Sequence, residues 1–338
     1  MALFDLPLER LRTYLPEPVA PEDFDEFWSS TLADARTHEV LLAVEQVDDD
    51  LRLVDTFDVT FAGFDGQPVR AWYSRPAGET GPLPAVVEYL GYGRGRGLPA
   101  ERLTLPVAGY AHLLMDTRGQ GSQWGSGGDT PDPVGAGPAV PGFLTRGILD
   151  PAGFYYRRLI TDAVRAVDAV RSLPGVDPGR VAVVGNSQGG GLALATSGLA
   201  EGLAAVTAAA PFLCDLPRAI GLTDAEPYSE AVKYLSVHRG REAAVMRTLS
   251  YVDNVNFVRR ATAPALFATG LFDTICPPST VFAAHNHYGA LAATAPAKAI
   301  EVYPHNHHEG GEAHFTRAQL GFLREHVAVA SHRARLDR

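Results

Sequence analysis

Over residues 181–195 the chain passes from a short apolar run, Val181-Ala-Val-Val, through Gly185-Asn186-Ser187-Gln188-Gly189, into Gly190-Gly191-Leu-Ala-Leu-Ala. The first run has no polar face, so it reads as a strand covered on both sides. The last reads as a buried helix made of small residues. Only a tight turn fits between them, and a strand feeding a helix this abruptly belongs to a parallel sheet with helices on its faces. Similar apolar runs occur at 85–89, 112–115, 204–210, 265–269 and 300–303, separated by helical stretches. One such stretch carries Ile160, Ala163, Val164, Val167 and Val170 on a single stripe. Another helix is expected after Phe315, turning Phe322 and Leu323 inward. The pattern predicts an α/β fold with a doubly wound, mostly parallel sheet, in which ligands sit at the carboxyl ends of the strands.

The first 80 residues differ. Residues 21–35 begin with acidic side chains and place Phe24, Phe27, Trp28 and Leu32 at helical spacing. Residues 53–61 and 68–73 alternate in polarity around Phe64-Asp65-Gly66, a hairpin signal, so this part is expected to be antiparallel. The expectation is one domain over 1–338, with 1–80 as a helix and antiparallel strands and 81–338 as the core that carries the chemistry. Residues 121–143 are dense in Gly, Pro, Ser and Asp without periodicity and read as a long surface loop.

The 338 residues are 46% hydrophobic and 20% charged, enough to bury a large core. A net charge of −10 argues against nucleic acid and anionic lipid as partners. The opening residues lack the cationic and apolar regions of a signal peptide, and no apolar run approaches the roughly 20 residues needed to span a bilayer, so the expected location is cytoplasmic. Cys214 and Cys276, too few for a disulfide framework, read as buried thiols.

The turn at 185–189 has the form Gly-x-Ser-x-Gly. A serine hydroxyl becomes a useful nucleophile when its oxygen is lifted clear of the sheet and a base takes its proton. The turn would present Ser187, and the helix after it would aim its N-terminal N–H groups, Gln188 first, at a developing oxyanion. Such an elbow calls for an acid and then a histidine after later strands. Asp273 follows the run at 265–269, and a histidine cluster follows the run at 300–303. That order makes the fold an α/β-hydrolase fold, with Ser187 as nucleophile and Asp273 as the acid. Spacing does not choose among His305, His307 and His308. A second oxyanion donor is expected from the turn after the first parallel strand, residues 88–97, which also suits a plain surface turn. A metal reading of the histidines with Glu309, His314, His285 and His287 is disfavoured, because His308-Glu309-Gly-Gly-Glu312 lacks the His-Glu-x-x-His pattern.

At these residues the sequence resembles carbohydrate esterase family 7, the acetyl xylan esterases that also act as cephalosporin C deacetylases. The likeness runs through Asp25-x-Phe27-Trp28, Gly91-Tyr92, Asp116-x-Arg118-Gly119-Gln120-Gly121, Gly185-x-Ser187-Gln188-Gly189, Pro211-Phe-Leu-Cys214, Arg247-Thr-Leu-Ser-Tyr251, Gly270-x-x-Asp273 with its Cys-Pro-Pro extension, and His308-Glu309. The resemblance implies that His308 is the base, that Tyr92 and Gln188 supply the oxyanion N–H groups, and that Pro227 and Ile275 bound a small acyl pocket. It also implies a homohexamer acting without metal or organic cofactor on small acetylated carbohydrates or cephalosporins. Arg118 and Gln120 read as scaffold beside the site. Two departures, an alanine-rich stretch at 290–298 and Arg94 in the glycine turn, bear on the shape of the site mouth. The alternatives are a carboxylesterase or thioesterase for longer acyl chains, and a hydrolase-fold binding protein that does no chemistry.

Overall fold

The computed structural model describes residues 4–79, 81–135 and 137–328. Nine strands form one sheet: β1 (Leu41–Val47), β2 (Val54–Ala62), β3 (Pro68–Pro76), β4 (Leu83–Tyr89), β5 (Ala111–Met115), β6 (Val176–Asn186), β7 (Ala205–Ala209), β8 (Ala265–Gly270) and β9 (Lys298–Tyr303). Their order is β1-β2-β3-β5-β4-β6-β7-β8-β9. The pairs β1/β2, β2/β3 and β3/β5 are antiparallel, and every pair from β5/β4 onward is parallel. The doubly wound sheet with an antiparallel N-terminal part is therefore as expected, and the hairpin turn lies where the Asp-Gly pair put it, with Asp65 and Gly66 both at positive φ.

β4 is the point where strand order reverses: the chain leaves it for β5 on one side and later returns as β6 on the other. Segments leaving the carboxyl ends of β4 and β6 diverge there and open a crevice. The turn after β4 carries Gly91 and Tyr92, and the turn after β6 carries Ser187.

One sheet face is covered by the helices Phe24–Ala35, Tyr155–Ser172 and Gln188–Leu199. Ile160, Ala163, Val164, Val167 and Val170 are all buried in that layer, and so are Phe24, Trp28 and Leu32 of the leading helix. The Trp28 indole also donates to the Tyr251 carbonyl, so its burial leaves no donor unpaired. The opposite face is closed by the helix Glu312–His326, which begins before Phe315 and turns Leu323 fully inward while Phe322 remains half-buried. Residues 121–143 form no helix or strand among those described, in line with the loop reading. Between β7 and β8 lie four further helices, Leu216–Leu222, Tyr228–Val237, Glu242–Ser250 and Asn254–Val258. No helix among the described residues is long and apolar enough to cross a membrane.

Candidate active site

The turn that carries Ser187 is tight because β6 runs directly into the helix Gln188–Leu199. Ser187 adopts φ 57 and ψ −122, a backbone conformation that costs a non-glycine residue energy and that the flanking strand and helix enforce. Its N–H donates to the Ala209 carbonyl and its carbonyl accepts from Gly191 and Phe212, so the turn is fixed on both sides. Gly189 is needed because a Cβ there would overlap the Tyr89 carbonyl at the end of β4. Helix and strand can meet only with a bare backbone at that position.

Asp273 and His308 arrive from the next two crossovers. Asp273 sits three residues past β8 and is fully buried. One carboxylate oxygen, Oδ1, accepts from the backbone N–H groups of Ile275 and Cys276, both at 2.9 Å. The other, Oδ2, lies 2.9 Å from His308 Nδ1. The far imidazole nitrogen, His308 Nε2, lies 2.9 Å from Ser187 Oγ. The loop after β9 is seated against the Asp273 turn by Leu271 N–H to Tyr303 O and Phe272 N–H to Asn306 O, both at 3.0 Å. Of the three histidines on that loop, His308 alone reaches the serine. His307 turns away, with Nδ1 at 3.0 Å from the Phe272 carbonyl, and His305 is exposed. With Asp273 holding Nδ1, the proton of the neutral ring rests on that atom and Nε2 is left as an acceptor for the serine hydroxyl.

Cys276 lies against the same serine. Burial pushes its thiol up, the nearby Asp273 carboxylate adds to this, and a hydrogen bond with Ser187 opposes it. It is therefore a neutral wall rather than a competing nucleophile. Cys214 is likewise buried and pushed up, chiefly by burial, and both cysteines are free thiols.

Across the crevice, the peptide joining Tyr92 to Gly93 is clamped at both ends. Its carbonyl accepts from Trp124 Nε1 at 2.7 Å, and its N–H donates to Gln120 Oε1 at 2.6 Å. Gln120 in turn donates to Tyr155 Oη and to Gln188 Oε1, both at 2.9 Å, and Gln188 Nε2 donates to the Leu90 carbonyl at 3.3 Å. The turn after β4 and the turn after β6 are thus tied by one buried amide network. The backbone N–H groups of Tyr92 and of Gln188, the first residue of its helix, have no hydrogen-bond partner among the described residues. Both lie on the turns that bound the crevice, where an incoming anion could take them.

Arg118 forms a buried ion pair with Asp162, reaches Asp132 at 3.3 Å, and donates to Gln67 Oε1 at 2.7 Å. Ile275 is half-buried on the Asp273 turn. Pro227 is buried at the head of the helix Tyr228–Val237, and the segment before it is joined to the Asp273 turn by the Thr223 hydroxyl donating to the Thr274 carbonyl. His285 and His287 are held elsewhere, by Asn286 and by the Pro16 carbonyl. Among the described residues no group of three or more His, Cys, Asp or Glu is placed to hold a metal ion. Sequence reasoning missed Trp124, Glu230 and the contact of Cys276 with Ser187; only the half-exposed tryptophan inside an otherwise polar loop offered a signal.

Residues 1–326 match the family model for acetyl xylan esterase (AXE1). The chain belongs to the acetyl xylan esterase family. A solved acetyl xylan esterase from Paenibacillus sp. R4 shares 39% identity and superposes with a TM-score of 0.88, over 95% of this chain and 100% of that one. Acetyl xylan esterase 1 from Thermoanaerobacterium sp. JW/SL YS485 shares 33% identity with a TM-score of 0.86, over 95% and 99% of the two chains. The acetyl esterase Axe7A of Xylanibacter ruminicola is 29% identical over 314 residues, 91% of this chain and 67% of that protein. A more distant likeness, 14% identity and a TM-score of 0.61 to an acylaminoacyl peptidase from Pyrococcus horikoshii, over 84% of this chain and 43% of that one, extends the fold to other α/β-hydrolases.

Proposed function

We propose that the protein is a serine esterase that removes acetyl groups from small acetylated carbohydrates, xylo-oligosaccharides first among them. The observation that carries this reading is His308 standing 2.9 Å from both Asp273 Oδ2 and Ser187 Oγ. Ser187 Oγ bonds to the acetyl carbonyl carbon while its proton passes to His308 Nε2. The carbonyl oxygen, now an anion, is received by the N–H groups of Tyr92 and Gln188. The carbon to sugar-oxygen bond then breaks as Nε2 returns the proton to that oxygen. Water, giving its proton to the same nitrogen, attacks the acetyl-enzyme; the bond to Ser187 Oγ breaks as that proton returns to it, and acetate leaves. No metal or organic cofactor takes part in this scheme. Pro227 and Ile275 would bound the acyl side, which favours acetyl over longer chains. The reading extends to a cytoplasmic homohexamer, for which cell fractionation and solution mass are the measurements.

The test is acetate release from acetylated xylobiose, acetylated monosaccharides, polymeric acetyl xylan and cephalosporin C, beside p-nitrophenyl acetate, butyrate and octanoate. A steep fall in kcat/KM beyond acetyl, with turnover on the short acetylated sugars, is expected. A rise toward octanoate would overturn the acetyl assignment in favour of a long-chain esterase.

A further inference from the structure

Tyr92 is held by its side chain as well as by its peptide. Its hydroxyl donates to Glu230 Oε1 on the helix Tyr228–Val237 and accepts from the Phe143 N–H. The second carboxylate oxygen, Glu230 Oε2, accepts from the Leu144 N–H at 2.9 Å. Gly142, at φ 130, completes the fit, because a Cβ there would overlap the carboxylate. The Tyr92 ring stands edge-on to Phe143 and Phe212, at 5.4 and 6.2 Å between centroids. One carboxylate therefore joins the turn after β4, the end of the long 121–143 loop and the insertion between β7 and β8.

Glu230 is 1% exposed, and among the described residues no cationic side chain pairs with it. Burial raises its carboxyl to about 7, against the opposing pull of the Tyr92 hydroxyl. A buried carboxylate without a counter-ion is costly to keep, and a glutamine would fill the same space at lower cost. What the carboxylate offers that an amide cannot is two acceptor oxygens for two donors that both face it.

We propose that Glu230 is a positioning residue of the reaction, locking the Tyr92 side chain through its hydroxyl so that the Tyr92 backbone N–H stays directed at the oxyanion formed on Ser187. This rests on the reading of Tyr92 as an oxyanion donor. Glu230 touches no substrate; it acts through Tyr92. The peptide clamp from Trp124 and Gln120 fixes the bond after Tyr92, while the side-chain clamp fixes the residue itself. Neither alone defines the orientation of the preceding N–H. In Glu230→Gln the amide oxygen must stay with the Leu144 N–H, which can only donate, so the NH2 faces a Tyr92 hydroxyl that already accepts from Phe143; that hydroxyl loses its charged acceptor, and the tie that orients Tyr92 is weakened.

The experiment compares wild type, Glu230→Gln, Tyr92→Phe and the double variant. The readouts are kcat and KM for p-nitrophenyl acetate, and affinity for a small trifluoromethyl ketone, which forms a tetrahedral oxyanion on the serine. Each single variant is expected to lose about ten- to hundred-fold in kcat, less than outright removal of a donor, with KM within about threefold. The ketone should weaken by a similar factor, and the double variant should be no worse than the singles, since both cut one chain of contacts. A folded Glu230→Gln with kcat within twofold of wild type, unchanged ketone affinity, or additive losses in the double variant would overturn the proposal. If Glu230→Gln does not fold, Tyr92→Phe and its ketone affinity decide alone. Ser187→Ala is assayed alongside: retained turnover there sinks the esterase reading and this proposal with it, whereas an inactive Ser187→Ala beside an unaffected Glu230→Gln sinks the positioning role alone.

Discussion

The substitution Asp273→Asn has an outcome that can be worked out from the hydrogen bonds of one side chain. Asp273 Oδ1 receives two backbone N–H groups and Oδ2 faces His308 Nδ1. An asparagine must keep its oxygen toward the two N–H donors, because an NH2 there would leave three donors facing one another in a fully buried place. The amide NH2 is then left 2.9 Å from His308 Nδ1 and donates to it. The ring proton moves to Nε2, which now donates to Ser187 Oγ in place of accepting from it. A histidine held in that tautomer cannot act as the base, and the expected loss in kcat is about 10⁴-fold. At about 1.36 kcal/mol per tenfold this corresponds to roughly 5.4 kcal/mol of transition-state stabilisation. Because Asp273 is remote from the substrate, KM should stay within about threefold. Steady-state hydrolysis of p-nitrophenyl acetate, with a thermal melt to verify folding, measures both. A folded variant retaining more than about a tenth of kcat would refute the tautomer argument.

Other consequences follow from the same contacts. His308→Ala should cost about 10³- to 10⁴-fold in kcat, while His305→Ala stays within about twofold and His307→Ala, which loses its tie to the Phe272 carbonyl and its ring contact with Phe272, within about tenfold; equal losses at 307 and 308 would contradict the assignment. Arg118→Ala strands the buried Asp162 carboxylate, while Asp132 keeps its pair with Arg158, and should lower stability by about 3–5 kcal/mol in urea unfolding, with a loss under about 1 kcal/mol counting against a structural role. Glu230, with its carboxyl raised to about 7, holds its proton more tightly folded than unfolded. That contribution is complete below the ordinary glutamate value and is lost as pH rises through about 7. The melting temperature of wild type relative to Glu230→Gln should therefore fall between about pH 5 and pH 7.5, and a flat difference would be the contrary result.

The parallel half of the sheet was legible because buried strands leave unbroken apolar runs, as at 181–184 and 265–269, and because Asp273 and the histidine loop each follow such a run. β1 was not legible. It is an edge strand with Leu42 and Val44 exposed, so no buried face impressed an alternation on its sequence. The four helices between β7 and β8 are 5 to 10 residues long and bury parts of several faces, which blurs the helical period. Spacing left His305, His307 and His308 open and only the resemblance at His308-Glu309 named His308, because which histidine meets Ser187 depends on the contact of Phe272 with Asn306 that seats the last loop, which spacing does not specify. Glu230 and Tyr92 lie 138 residues apart and meet only because an inserted helix folds over the crevice.

The central claim, that Ser187 carries the acetyl group, is tested most directly by titrating the protein with a fluorophosphonate and mapping the label by peptide mass while following acetate release. An unactivated serine does not react with such a reagent. The expected result is one label per chain, on the peptide that contains Ser187, with activity falling in proportion to labelling. Label on another residue, or full labelling of Ser187 with activity retained, would contradict the account.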